Sequence, residues 1–209
     1  MSDYISNYRP DLLTERINQV AFPVTTIYIA SKDRSKFATV KNYETILLGV
    51  ATGAYLSMLP LQIAQEKLNL RYLDWLITTP LLTSVIYEYA VAVNPKVREE
   101  IPQSYLVIPP ILMIVTGYLA RITCNPDLRN MYLLLSWIFL AFTLINIYRL
   151  SQLVDLKGAE WFFYILWPLY GVVFFVNNIH ERSYYYNILD FLAKIVFAIY
   201  FTDVVLDSS

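Results

Sequence analysis

The chain of 209 residues is short of charge, cysteine and histidine. Only 16% of its residues are Asp, Glu, Lys or Arg, and the two signs nearly cancel at a net charge of −1. This balance provides no basic surface for nucleic acid. The single cysteine, Cys124, excludes a disulfide within the chain. The single histidine, His180, is no basis for a metal site, so we expect none.

Apolar and aromatic residues are abundant instead. Hydrophobic residues make up 57% of the sequence, with 18 Tyr, 11 Phe and 4 Trp. The mean hydropathy of +0.45 is that of a membrane protein. The first ten residues are polar and no cleavage pattern follows them, so we expect no removable signal peptide. The length predicts a single domain over residues 1–209.

Apolar runs of membrane-spanning length predict an all-α membrane protein, a seven-transmembrane-helix bundle. The first run is the weakest, because Asp11, Glu15 and Arg16 open it and Pro23 interrupts it. The connections are short, which makes consecutive helices antiparallel neighbours. The predicted spans are about 11–31, 42–63, 70–93, 103–123, 129–150, 159–178 and 185–206.

The loops that follow the odd-numbered spans carry slightly more Lys and Arg than the opposite side. The strongest contribution comes from the first loop, with Lys32, Arg34, Lys36 and Lys41 beside it. Positive residues favour the cytoplasmic side. We therefore predict an external N-terminus and a cytoplasmic C-terminus.

Lys194 lies in the middle of the last apolar run. A lysine at that depth costs on the order of 3 kcal/mol, so it is expected to have a function and a nearby partner. Asp190 is four residues earlier and lies on the same helix face. A buried lysine suits Schiff-base chemistry. From this segment alone, a structural ion pair is an equally good interpretation.

A second charged group lies in the third span. Arg71, Asp74 and Thr78 follow one another at helical spacing, so the Thr78 hydroxyl is placed to bond the Asp74 carboxylate. Arg71 and Asp74 alone would also fit a charge pair at a helix end. Beside Lys194 and Asp190, however, they neutralise one another only by converging inside the bundle.

Two motifs carry a resemblance to a known family. The run RYLDWLITTPLL at residues 71–82 resembles the third helix of microbial (type 1) rhodopsins, and LDFLAKIVF at 189–197 resembles their last helix. The resemblance implies all-trans retinal held as a protonated Schiff base on Lys194. It also implies that Asp74, with Thr78, and Asp190 supply counter-charge, and that Arg71 balances them. A compact chain with a glutamate at 44 resembles the viral subgroup.

The same resemblance implies a retinal pocket. In the family's pattern Tyr55 and Tyr170 also bond the aspartate of the last helix, here Asp190. Gly171 departs from the pattern, because proline often follows the sixth-helix tyrosine; Phe174 likewise stands where many members have Trp. The residues implied to contact or surround retinal, besides Lys194, are Tyr55, Trp75, Thr79, Met113, Gly117, Trp137, Trp167 and Tyr170.

A further departure concerns proton supply. Val85 stands eleven residues after Asp74, where outward proton pumps usually have a donor carboxylate. Glu44 on the second helix is the substitute we predict, since its apolar neighbours favour the protonated form. Two alternatives remain: Glu44 pairs with Lys41 at the interface, or Glu88 is the donor.

The resemblance implies a light-activated ion transporter in the lipid bilayer, not an enzyme. It moves protons or small cations, and we favour an outward proton pump slightly. A light-gated cation channel is the main alternative, and a photosensor the next; a seven-helix carrier with a charged core is the non-retinal interpretation. By resemblance only, we expect a homo-oligomer, a trimer or pentamer.

Overall fold

The computed structural model describes residues 9–207, which fold into a seven-helix bundle. No β-strand occurs in these residues. We number the long helices in chain order: α1 (Pro10–Ser31), α2 (Ala38–Ser57), α3 (Ala64–Val93), α4 (Ser104–Ile122), α5 (Pro126–Leu153), α6 (Glu160–Val173) and α7 (residues 179–205). Short helical turns, Ser35–Phe37 and Val97–Glu100, precede α2 and α4.

The helix bounds differ from the predicted spans mainly in α2, α3, α6 and α7. Helix α2 ends at Ser57 because Pro60, close after it, cannot continue the hydrogen-bond ladder. Helix α3 begins at Ala64, before the apolar run, and its charged Lys67 is paired with Glu15 at 2.7 Å. Hydropathy locates only the apolar part of a helix. It therefore leaves out helical turns with charged side chains, even where those side chains are paired with opposite charges.

The start of α7 is set by a capping residue. The Asn178 side chain accepts hydrogen bonds from the main-chain N–H groups of His180 and Glu181, which begins the helix at Ile179. Hydropathy placed this start at about 185. Asn125 caps α5 in the same way, and Pro126 occupies its first turn. Helix α6 ends at Val173, five residues before the predicted 178.

Charge lies inside the bundle, and apolar side chains cover its outside. Arg71, Asp74, Asp190 and Lys194 are each at most 2% exposed, whereas Ile27 on α1 is 70% exposed. Helices α3, α4 and α5 are long and apolar enough to cross a membrane on composition alone. Such an arrangement places the charges in the bundle interior and leaves an apolar surface for lipid tails.

The last helix changes its winding at the lysine. Within α7, the α-helical segments Ile179–Asp190 and Phe197–Tyr200 alternate with the π-helical segments Phe191–Val196 and Phe201–Val205. Lys194 lies in the first π-helical segment. Such wider turns are uncommon and occur often at functional sites.

Two ion-pair clusters mark the ends of the bundle. At the end we call the Asp11 end, Asp11 contacts Arg9 and His180, at 3.0 and 3.1 Å. At the opposite end, the Asp203 end, Lys32 pairs with Asp203 at 3.0 Å.

Candidate functional site

The Lys194 ammonium is held between two carboxylates at the centre of the bundle. Its Nζ donates to Asp74 Oδ2 at 2.5 Å and lies 3.7 Å from Asp190 Oδ1. Helix α3 supplies Asp74, and α7 supplies both Asp190 and Lys194. Together with the buried Arg71, the group contains two positive and two negative side chains, so its formal charges cancel.

Asp190 is the more fully hydrogen-bonded of the two carboxylates. Its Oδ2 accepts from Tyr55 at 2.8 Å and from Arg71 at 3.0 Å. Its Oδ1 accepts from the Trp75 indole N–H and from the Tyr170 hydroxyl, both at 2.9 Å. The hydrogen bonds expected from Tyr55 and Tyr170 are present, and the Trp75 bond was not predicted. Four donors stabilise and orient this carboxylate.

Asp74 has much less support. Lys194 is the hydrogen-bond donor to its Oδ2, and its buried Oδ1 has no partner within residues 9–207. The expected bond from Thr78 to this carboxylate was wrong: the hydroxyl donates to the main-chain oxygen of Asp74 at 2.9 Å. Thr79 bonds the Trp75 carbonyl in the same way. Threonine within a helix readily bonds the carbonyl four residues earlier, and that bond competes with more distant acceptors.

Arg71 pairs across the bundle and not along its own helix. It is 1% exposed and bonds Asp190, Tyr55 and the side-chain oxygen of Asn187, the last at 2.6 Å. The alternative of an interfacial Arg71–Asp74 pair is therefore wrong, because Arg71 is buried and its ion pair is with α7.

A largely apolar cavity opens beside Lys194; about 790 Å³ of space within it is free of protein atoms, part of which is open to solvent. Of the predicted pocket residues, those that line it are Trp75, Thr79, Met113, Gly117, Trp137, Trp167, Tyr170 and Lys194. Tyr55 does not line it; this tyrosine lies behind Asp190, to which it is hydrogen-bonded. Lining residues that the sequence did not single out include Tyr72, Ser136 and Tyr186.

A family model described as bacteriorhodopsin-like protein matches residues 14–208. The chain belongs to the bacteriorhodopsin-like family. Members of this family are multi-pass membrane proteins that bind retinal through a Schiff base to a lysine. They are light-driven transporters or sensors and not enzymes of the usual kind.

Individual relatives of this bacteriorhodopsin-like chain are distant. Archaerhodopsin-1 of Halorubrum ezzemoulense is 30% identical over 154 residues, which are 66% of this chain and 55% of that protein. The chain thus matches about half the length of that relative. The viral rhodopsin OLPVRII superposes with a TM-score of 0.74 at 24% identity, covering 96% of this chain and 97% of that one. The rhodopsin of Exiguobacterium sibiricum gives 0.81 at 20% identity, covering 95% and 97%. These two likenesses show the fold alone, so membership of the viral subgroup stays a prediction.

Gly171, where this rhodopsin departs from the family pattern, lies against a tryptophan. A Cβ atom at Gly171 would come within 2.5 Å of the Trp137 ring. The ring of Trp137 on α5 therefore occupies space that any side chain at 171 on α6 would take. Gly117 on α4 is less crowded, because its Cβ would lie 3.4 Å from the Ser136 hydroxyl.

Two buried asparagines, which the sequence reading did not single out, connect the charges to the Asp11 end. Asn187 accepts from Arg71 and donates to the Asp11 carbonyl at 2.9 Å. Asn18 donates to the Tyr55 hydroxyl at 3.1 Å and to the Asn187 carbonyl at 2.8 Å. The sequence did contain a signal for Asn187, which is an amide in an apolar span three residues before Asp190. Buried polar groups in membrane helices need partners, so this position could have been predicted to join the charged centre.

Glu44 is buried on the other side of Lys194, near the Asp203 end. It is 1% exposed, and the Thr202 hydroxyl donates to its Oε2 at 3.1 Å. Its Oε1 has no hydrogen-bond partner in the described residues. The alternative of a Glu44–Lys41 pair is wrong, because Lys41 donates to the carbonyls of Lys32 and Ala30. Glu88 lies 3.8 Å from Arg98 in a partly exposed ion pair, and Val85 is fully buried.

Proposed function

We propose that this chain binds all-trans retinal at Lys194 and uses light to move ions across the membrane. The observation that carries the proposal is the placement of Lys194, which lines the apolar cavity and is hydrogen-bonded to Asp74 at 2.5 Å. When bound as a protonated Schiff base, retinal supplies a light-driven change of shape and of proton affinity at the Lys194 nitrogen.

The residues present fit this cofactor. A cationic nitrogen buried in a low dielectric requires counter-charge, and Asp74 and Asp190 are beside it. The Asp74 Oδ1 is a buried acceptor with no hydrogen-bond partner in the described residues. Trp75, Trp137 and Trp167 provide flat apolar walls that orient the ligand and exclude water.

Asp74 is the proton acceptor in this proposal. Its Oδ1 is free to take a proton, whereas both oxygens of Asp190 are occupied by donors. Neutralising Asp74 removes the attraction between its charge and Arg71, and Asp190 stays as the charge partner of the arginine. Arg71 then moves or relaxes toward the Asp11 end, along the hydrogen bonds of Asn187 and Asn18.

Glu44 is the proposed proton donor. It is the buried carboxylate on the Asp203 side of Lys194, with Thr202 beside it. Thr202 is eight residues after Lys194, about 12 Å along the helix. Transfer over that distance needs intervening water or a helix movement. Accepting on one side of Lys194 and supplying from the other gives a direction, which is outward if the Asp11 end is external.

A light-gated cation channel is the second candidate, and one observation favours it. Between Arg71 and the Asp11 end, buried polar side chains, Asn18, Gln19 and Asn187, follow one another along α1 and α7. Their amide groups offer oxygens to a hydrated cation without binding it tightly. The same residues that shape proton release would then line a conducting path.

Whole-cell photocurrent against voltage distinguishes the two candidates. A pump gives outward current at zero driving force, and a channel gives current that reverses near the cation equilibrium potential. In D74N, pump current is lost and the pigment absorbs further to the red, because negative charge is removed from beside the cation. The absence of photocurrent of either kind from a coloured, surface-expressed protein would contradict ion transport.

The predicted orientation and assembly stay part of this proposal. The Asp203 end, with Lys32, Arg34, Lys36 and Lys41 near it, is proposed to be cytoplasmic, and the Asp11 end external. A trimer or pentamer in the bilayer is the proposed assembly, and protons or small cations are the proposed cargo.

A further inference from the structure

Helix α1 holds Tyr55 of α2 through three side chains. Gln19 donates from its side-chain amide to the Tyr55 main-chain oxygen at 3.2 Å. Asn18 donates to the Tyr55 hydroxyl at 3.1 Å. The ring centre of Phe22 lies 4.9 Å from that of Tyr55. Asn18, Phe22 and Tyr55 are each at most 1% exposed, so bulk water does not compete for these contacts.

A main-chain carbonyl fixes which way the Asn18 amide points. The nitrogen and oxygen of an asparagine amide have nearly the same shape, so their assignment depends on the neighbouring groups. Asn18 Nδ2 lies 2.8 Å from the main-chain oxygen of Asn187, which can only accept a hydrogen bond. The same Asn18 nitrogen bonds the Tyr55 hydroxyl oxygen. The Asn18 group that faces Tyr55 is therefore a donor, and the hydroxyl oxygen is the acceptor.

The Tyr55 hydroxyl is left with its own proton to donate. Arg71 Nη1 also donates to its oxygen, at 2.8 Å, and an arginine side chain cannot accept. The acceptors beside the hydroxyl are Asp190 Oδ2 at 2.8 Å and Asn187 Oδ1 at 3.3 Å. The Asn187 oxygen already accepts from Arg71 at 2.6 Å. The Tyr55 proton is therefore directed to Asp190, where the bond is shorter and the acceptor is charged.

We propose that Asn18 is a positioning residue for the light-driven reaction and acts on Asp190 through the Tyr55 hydroxyl. A donor to the hydroxyl oxygen polarises the O–H group, which strengthens the bond that Tyr55 donates to Asp190. Asp190 then stays a fixed counter-charge, and Asp74 is left as the proton acceptor. The inference rests on the proposed function. It gives a part in that function to α1, whose apolar run is the weakest of the seven.

The test is a double-variant cycle on the absorption maximum of the full-length pigment, with Asn18→Leu, Tyr55→Phe and the two combined. A carboxylate that loses a hydrogen bond concentrates its negative charge and stabilises the nearby cation more strongly in the dark. Asn18→Leu should therefore shift the maximum to shorter wavelength, in the same direction as Tyr55→Phe and by at least half as much. In the Tyr55→Phe background it should add no shift, because its route to Asp190 is gone.

The matched control is Asn146→Leu. Asn146 is also a buried asparagine, 1% exposed, but its amide donates to the Phe142 carbonyl of its own helix at 2.8 Å. This variant should leave the absorption maximum unchanged. Asn18→Ala removes the same donors as Asn18→Leu without adding bulk, and it covers the case in which the leucine variant does not fold. The unfolding midpoint is measured for each variant, since a purely structural asparagine would change stability and not colour.

The cycle decides whether Asn18 acts through Tyr55. A shift that vanishes in the Tyr55→Phe background supports the proposal. A shift of the same size with and without the Tyr55 hydroxyl would overturn it, because Asn18 would then act by another route. An unshifted band in a folded Asn18 variant would overturn it as well. A parent protein that stays colourless with retinal would overturn the proposed function, and this inference with it.

Discussion

At the scale of single residues, surroundings give two chemically identical carboxylates different roles. Asp190 accepts hydrogen bonds from Tyr55, Arg71, Trp75 and Tyr170, two on each oxygen, so a proton on either oxygen would displace a donor. Asp74 is bonded to Lys194 alone through one oxygen, and its other oxygen is free. A difference in hydrogen-bond partners is therefore enough to divide the pair into a fixed counter-charge and a proton acceptor.

Glu44→Gln tests the proposed proton supply at this scale. The amide keeps the shape of the side chain and its contact with Thr202 but has no proton to give. After a flash, the return of a proton to the Lys194 nitrogen should slow about tenfold or more. This factor is within the range that positioned acid–base groups contribute. The measurement is a transient pH-dye signal, and added azide should restore the rate while the colour stays unchanged.

The matched control is Glu88→Gln, because Glu88 is the alternative donor considered for this half of the bundle and lies in a partly exposed pair with Arg98. It should leave recovery unaltered. Recovery that is as fast in Glu44→Gln as in the parent, or slow only in Glu88→Gln, would exclude Glu44 as donor.

Residue types and spacings predicted which charged residues form the centre, but not which of them pair with one another. Lys194, Asp190 and Asp74 stand out in a sequence because a charge in an apolar span needs a partner. Which oxygen Thr78 bonds, or whether Arg71 joins Asp74 or Asp190, depends on distances of a few ångströms between helices. Helical spacing describes one face of one helix, so it could not decide between a partner within α3 and one on α7.

At the scale of helices, close approach of α5 and α6 depends on a glycine. The Trp137 ring lies so near Gly171 that a methyl group there would be 2.5 Å away. Both residues also line the cavity beside Lys194. Gly171 therefore affects the shape of the cavity, because its lack of a side chain leaves room for the Trp137 ring.

Gly171→Ala is expected to push the Trp137 ring into the cavity. Addition of retinal to the purified apoprotein should then form pigment several-fold more slowly, and the pigment should absorb at a different wavelength. Gly53→Ala is the control, because its Cβ would meet nothing within 4 Å; alanine also favours helix by up to about 1 kcal/mol. Pigment formation in Gly171→Ala that matches the Gly53→Ala control in rate and colour would refute this role.

Helix number and order were predictable from apolar runs, and helix ends were not. The end of α2 before Pro60 and the start of α7 after Asn178 depend on local hydrogen bonding that hydropathy ignores. The π-helical winding around Lys194 had no signal in the spacing of apolar residues.

At the scale of the whole molecule, an apolar exterior encloses a neutral set of charges. The formal charges of this group cancel, so removing one charged side chain leaves another buried charge without a partner. The group consists of Arg71, Asp74, Asp190 and Lys194. Breaking a buried ion pair in this way typically costs about 3–5 kcal/mol. Any test that removes Lys194 must therefore distinguish loss of the attachment site from loss of the fold.

The most direct test of the central claim, that retinal is attached to Lys194, is the visible absorption of Lys194→Ala after incubation with all-trans retinal. The double variant Lys194→Ala/Asp74→Asn removes both charges of the pair and keeps the interior neutral. Lys67→Ala, which loses an ion pair with Glu15 near the Asp11 end, is the matched control. We predict that both Lys194 variants remain colourless although the double variant is folded by circular dichroism, whereas Lys67→Ala is coloured. A pigment band of normal intensity in either Lys194 variant would contradict the account.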